Sequence, residues 1–201
     1  MAADARSLAE AQGVSDIQVR VQAVGDVTSA PNAGAAGLGP SRRVILWDTL
    51  LDGRFGRDEI RFVLAHEFAH HSRGHIWELL GWYALFAVPG VFLIARATRR
   101  RGGVYEPSAI PLALFVLVAL QLLALPAQNA ISRHLEAEAD WVALETTRDP
   151  DGARALLRRF TTAGLAEPNP PTWSYFLIDD HPSIAERIAM AEAWEARRMP
   201  R

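Results

Sequence analysis

The sequence predicts an α+β fold, mainly α, in which a small antiparallel sheet leads into helices and a transmembrane helical hairpin interrupts the soluble part. Three observations carry this. Period-2 alternation of apolar and polar residues is confined to the first fifty positions, and from Arg57 onward apolar residues recur at helical spacing. Two runs carry no charge at all, Leu79–Ala95 (17 residues) and Pro107–Ser132 (26 residues), where a bilayer core needs about 20 apolar residues. A soluble core rarely needs so long an uncharged stretch, although Pro89, Pro111 and Pro126 keep two buried helices as the alternative.

Taken in order, residues 3–13 read as a short helix ending at Gly13, and Ile17–Val24 alternates as a half-buried strand. A Gly/Ala/Pro/Asn-rich stretch, Ser29–Pro40, precedes a second β-favouring run, Arg43–Trp47. Within that stretch, Asn32–Leu38 is expected as a thin edge strand with almost no side chains. Arg57-Asp-Glu opens a helix to about Arg73, its acidic first turn matching the helix dipole. The hairpin follows, its arms joined by the basic loop Arg96–Gly103, and its second arm continues without a breaker into Asn129–Thr147. A helix from Asp151 to Gly164, a proline-rich linker Pro168–Pro171 and a last helix opened by His181-Pro182 and ending near Arg198 complete the chain. These divide into residues 1–75, the hairpin 76–128, and residues 129–201 that complete the same catalytic domain.

At 201 residues there is room for one domain with a core. A net charge of −2 sets up no field that would draw nucleic acid. Met1–Ser15 is polar and alanine-rich, with no secretory apolar stretch. With no cysteine, any metal must be held by His, Asp or Glu.

The sharpest motif is His66-Glu67-Phe68-Ala69-His70. Residues four apart on a helix lie about 40° apart around its axis, so both imidazoles can point at one zinc ion. Glu67 beside them can take a proton from a metal-bound water as it attacks a carbonyl carbon. Average composition produces this pattern by accident on the order of once in a hundred chains this long. A catalytic zinc also needs a third protein ligand, and Ser132-Arg-His-Leu-Glu136-Ala-Glu138-Ala-Asp140 offers it. Glu136 and Asp140 share a helix face, so one can ligate while the other accepts the free N–H of a ligating histidine. Glu138 is expected on the opposite face, solvated. His71 and His134 are read as structural, and His75 as a helix cap or a membrane-surface residue.

Leu64–His75, the hairpin and Ser132–Asp140 together resemble the integral-membrane zinc metallopeptidases, gluzincins that include the CaaX prenyl endoprotease and bacterial HtpX. Pro31–Leu51 is similar to that family's sheet, and His181-Pro-x-x-x-x-Arg187 to its final motif. The resemblance spans roughly residues 15–190 and implies a zincin-like catalytic domain with the hairpin inserted between the two metal-ligand helices. It implies one Zn²⁺ per chain on His66, His70 and Glu136, Glu67 as base, and Asp140 behind a ligating histidine. His181 and Arg187 map onto residues that stabilise the oxyanion or hold the substrate backbone, although Arg187 could equally pair with Asp140 or Asp180. Members usually carry further membrane helices before the catalytic part, which fits either a fragment or a reduced member.

The expected partners are a peptide or protein substrate and membrane lipid. An extended peptide would add to the edge strand at Asn32, Ala33 and Gly34. The expected location is a bacterial inner or cell membrane. The arginines of the short loop argue for a catalytic part outside. The arginines flanking both arms, the polar N-terminus and the resemblance argue for one facing the cytoplasm, the side favoured. Two alternatives stand beside the hydrolase: a non-catalytic, zinc-stabilised membrane adaptor or holdase, and an intramembrane site-2-type protease. The intact Glu67 weighs against the first, and acidic residues that follow the hairpin weigh against the second.

Overall fold

The computed structural model describes residues 1–164 and 167–198. Its elements are α1 (Ala2–Ala11), β1 (Gln18–Gln22), β2 (Ala33–Ala36), β3 (Arg43–Trp47), α2 (Arg57–Ser72), α3 (His75–Thr98), α4 (Ile110–Thr147), α5 (Pro150–Ala163), α6 (Thr172–Leu177) and α7 (Ile184–Arg198).

The sheet has the order β1-β3-β2 and is mixed rather than wholly antiparallel. β2 and β3 form the expected antiparallel pair, with Ala33 opposite Leu46. β1 runs parallel to β3, with Gln18 opposite Arg43. The reason is topological: the chain leaves β1, builds β2 at the far edge, and returns through a tight turn into the middle. That turn requires glycine at position 37, where φ is +86° and a Cβ would stand 2.2 Å from the Ser41 carbonyl oxygen. Val44 and Leu46 are fully buried on the face of β3 turned to the core.

α2 is the central helix. The Glu59 carboxylate accepts the Gly56 N–H at its first turn and an Arg159 N–H from α5 at 2.8 Å. Its stretch Phe62–Ala69 is buried throughout, against Leu8, Leu144, Leu156 and Trp194 from four other helices. The Gln12 side-chain amide donates to Ala65 O and Thr146 Oγ1, tying α1 to both α2 and α4. At Gly74, with φ +74°, the chain turns out of α2 and straight into α3.

α3 and α4 form the hairpin, and the most apolar 18-residue windows of the two helices are 0% and 6% buried. That removes the alternative of two core helices, because a core helix hides its apolar side chains. Val88, Phe92, Phe115 and Leu123 all face outward. Both helices are long and apolar enough to cross a membrane. At 38 residues, α4 extends about 57 Å, so its second half emerges from the hairpin and packs on α2.

Two expectations near the C-terminus change. The proline-rich linker leads into α6, a one-and-a-half-turn helix that its short sequence does not announce. α7 starts at Ile184, two residues past Pro182: Ser183 and Glu186 form a reciprocal capping box, with Ser183 N–H to Glu186 Oε2 at 2.9 Å and Glu186 N–H to Ser183 Oγ at 3.2 Å.

Candidate active site

Two helices build the site. The middle of α2 presents His66, Glu67 and His70, and the emergent half of α4 presents Glu136 and Asp140 across from them. His66 Nε2 lies 3.1 Å from His70 Nε2 and 3.1 Å from Glu136 Oε2, and His70 Nε2 lies 3.5 Å from Glu136 Oε1. One donor atom from each residue falls within 4.8 Å of the other two. Ligands about 2.1 Å from a tetrahedral zinc stand about 3.4 Å apart. The donor set therefore fits such an ion. A second observation agrees: the Glu136 carboxylate is aimed into the cluster, its Oε2 facing the ring nitrogens of His66 at 3.1 Å and His181 at 3.4 Å.

Behind the cluster each imidazole is held by its other nitrogen. His66 Nδ1 lies 2.9 Å from Asp140 Oδ1, and Arg187 grips the same carboxylate with Nε and Nη2 at 2.6 and 2.7 Å. Asp140 and Arg187 thus pair as α7 docks on α4, the bland alternative for Arg187. His70 Nδ1 lies 2.9 Å from Nδ1 of His75, which is 1% exposed and stands 3.7 Å from Glu138 Oε2. His75 is accordingly neither a cap nor a surface residue, and Glu138 is not simply solvated: Arg73 pairs with it at 3.3 Å. Sequence spacing missed this pair because the Gly74 turn, not helix periodicity, swings His75 back toward His70. His71 packs against the sheet, its Nε2 3.0 Å from Arg43 O, and His134 is exposed.

The electrostatics follow from burial and these partners. Burial disfavours the charged form of His66, but hydrogen bonds to Asp140 and Glu136 outweigh it and raise its pKa to about 10. His70 is lowered to about 3, first by burial and then by the charge on His66. Burial pushes Glu67 up, while the His66 charge pulls it down. The carboxylate of Asp180, 2.7 Å from His181 Nδ1, raises the pKa of His181.

A cleft of about 540 Å³ opens over the cluster, walled by Asn32, Ala33, Phe62, Glu67, Ser174 and His181 among others. His181 is 54% exposed and turns its Nε2 to within 3.4 Å of Glu136 Oε2. Trp47 N–H donates to Asn32 O, and the alternation of an antiparallel ladder then pairs Gly34 and Ala36 with β3. The backbone groups of Ala33 and Ala35 face the outer edge, where the Ala33 N–H donates to Asn32 Oδ1 at 2.9 Å and the Ala35 N–H to the Glu67 carboxylate. Gly34 does not line the cleft, whereas Asn32 and Ala33 do.

A family model described as Peptidase family M48 matches residues 2–195. A protein named Uncharacterized metalloprotease YhfN from Bacillus subtilis is 32% identical over 178 residues, covering 84% of this chain and 42% of that protein. A Protease HtpX homolog from Ligilactobacillus salivarius is 29% identical over 190 residues, covering 81% and 63%. The crystal structure of S. mikatae Ste24p superposes with a TM-score of 0.71 at 26% identity, over 85% of this chain and 44% of that one. The chain thus spans between about two fifths and two thirds of the length of these relatives. Because the family model runs through both helices that supply the clustered donors, from α1 into α7, this chain belongs to Peptidase family M48.

Proposed function

We propose that the chain is the catalytic part of a membrane-bound zinc endopeptidase. The observation that carries the reading is the meeting of His66, His70 and Glu136 from α2 and α4 at metal-ligand spacing, with Glu67 in the wall of the same cleft. His66, His70 and Glu136 would hold one Zn²⁺, which would supply Lewis acidity to a substrate carbonyl and to a water. Glu67 takes the proton from that water and delivers it to the departing amine nitrogen; its burial favours the protonated form needed for the second half of that transfer. His181, whose protonated form the hydrogen bond to Asp180 favours, donates from Nε2 to the oxygen on which charge develops. Asp140 and Arg187 act through His66, and His75 through His70, by fixing ring orientation and tautomer.

The substrate is an extended polypeptide added to the outer edge of β2, its backbone paired with the outward groups of Ala33 in place of the Asn32 Oδ1 that accepts the Ala33 N–H. The protein sits in a bacterial membrane with the site facing the cytoplasm. Purified protein in detergent, incubated with unfolded casein, should cleave it. Glu67→Gln should retain one zinc per chain and lose cleavage about 10²- to 10⁴-fold. Undiminished cleavage by Glu67→Gln contradicts the role of Glu67, and zinc without cleavage in the parent protein favours an adaptor or holdase.

A further inference from the structure

α6 forms part of the cleft wall and also carries an apolar face that no other described residue covers. Its inward side chains are occupied. Tyr175 OH donates to Glu186 Oε2 at 2.8 Å, Ser174 lines the cleft, and the Arg133 guanidinium stacks 4.4 Å from the centroid of the Tyr175 ring. Its outward side chains, with the residue that follows, are Trp173, Phe176, Leu177 and Ile178, and three of these are 64%, 55% and 62% exposed (Trp173, Phe176 and Ile178). Among the described residues outside the hairpin, other exposed large apolar side chains are scattered singly: Met1, Val21, Val27 and Leu38. Four in six positions form a patch, and a patch asks for a partner.

The height of that patch identifies the partner. Arg133 is the first charged residue after the uncharged run of α4, and its Nη1 donates to Tyr175 O at 2.9 Å and Asp179 O at 2.6 Å. α6 is therefore pinned where α4 leaves its apolar segment. The antiparallel arm agrees: Leu79, Trp82, Tyr83 and Phe86 meet Gln128 and Ile131, which sets Arg133 level with the start of α3. Trp77, 65% exposed, stands there. Aromatic side chains collect at the headgroup level, where one end of the ring is dry and the other wet. Two elements distant in sequence thus bring exposed tryptophan to one height, continuous with the lipid-facing surface of the hairpin.

We infer that α6 is an interfacial anchor that lies in the headgroup region of the bilayer and holds the mouth of the cleft at the membrane surface. Because Asp179, Asp180 and His181 follow α6 directly into the cleft wall, the substrates so favoured are segments leaving a bilayer: unfolded juxtamembrane stretches of membrane proteins. This substrate class rests on the peptidase reading above, whereas the anchor itself does not.

The chain has no cysteine, so single substitutions give unique labelling sites. Nitroxides are placed at Phe176→Cys and Ile178→Cys, with Leu123→Cys as a lipid-facing reference and Val27→Cys as an aqueous one. The full chain is set in nanodiscs of phosphatidylcholine and phosphatidylglycerol, and collision rates with oxygen and with a water-soluble nickel chelate are compared. An interfacial helix sinks its apolar face roughly 5–10 Å into the headgroup–acyl boundary, so both α6 labels should favour oxygen, between the two references. Labels at 176 and 178 as nickel-accessible as the one at 27 overturn the anchor. So does spin–spin broadening that disappears on dilution with unlabelled protein, since a second copy then covers the patch. In the activity arm, Phe176→Ser with Ile178→Ser should slow cleavage of a reporter tethered by one membrane helix at least fivefold and leave untethered casein unchanged. Equal loss on both overturns the substrate class. A parent protein that cleaves neither, with labels still at headgroup depth, removes the peptidase reading and leaves the anchor supported.

Discussion

The two halves of α4 solve opposite problems on one continuous helix. Residues 110–132 turn leucine, valine and phenylalanine outward, and Phe115 and Leu123 are among the most exposed apolar side chains of the chain. Residues 133–147 turn Leu135, Ala139 and Leu144 inward together with the carboxylates of Glu136 and Asp140. Buried charge is costly unless paired, and both of these carboxylates have partners: His66 and Arg187 for Asp140, and the two imidazoles of the donor cluster for Glu136. The difference teaches that the hydrophobic pattern reports what surrounds a segment, lipid in one case and protein in the other, while the helix itself is indifferent.

The sharpest way to break this comparison is at the buried ion pair. Asp140→Ala strands the Arg187 guanidinium in the interior and should cost about 3–5 kcal/mol, read as a large drop in melting temperature in micelles. The exposed pair of Arg61 with Asp58 should contribute only about 0–1 kcal/mol when its acid is removed. Leucines come next. Leu64→Ala empties a fully buried position and should cost about 2–5 kcal/mol. Leu123→Ala, facing outward on the hairpin, should cost much less, because no packed cavity is left behind. Equal losses at both positions would mean that the hairpin is a packed core after all.

Smaller effects test the support behind the imidazoles. His75→Ala should weaken zinc about 10- to 100-fold in competition with a chelator, with little loss of helicity. His75→Gln, able to keep a hydrogen bond to His70, should recover part of it. The pH dependence of binding has a definite sign. His66, raised to about 10, holds a proton at neutral pH that the metal must displace, so affinity rises with pH. One proton released per ion makes that slope about tenfold per pH unit between pH 7 and 9. A flat profile would show that His66 is already unprotonated before the ion arrives.

Much of the site was legible in sequence because it depends on helix periodicity. The spacing of four within His66–His70 and again within Glu136–Asp140 places each pair on one face whatever the tertiary packing. The hairpin was legible from its lack of charge. What escaped depended on chain direction and turns. The parallel pairing of β1 with β3 is a matter of which edge the connection reaches, and nothing in Ile17–Val24 states it. His75 lies five residues past His70, which on an unbroken helix would point it away; only the left-handed turn at Gly74 brings it back. α6 escaped for another reason: six residues after two prolines carry no detectable period, and its position comes from Arg133, forty residues upstream.

The central claim is that side chains from α2 and α4 converge on one ion, and metal content measures it directly. Protein purified without chelator and analysed by mass spectrometry for metals should carry one zinc per chain, and Glu136→Ala, still folded by circular dichroism, should carry far less at the same free zinc. A folded Glu136→Ala protein that holds zinc as tightly as the parent would contradict the account.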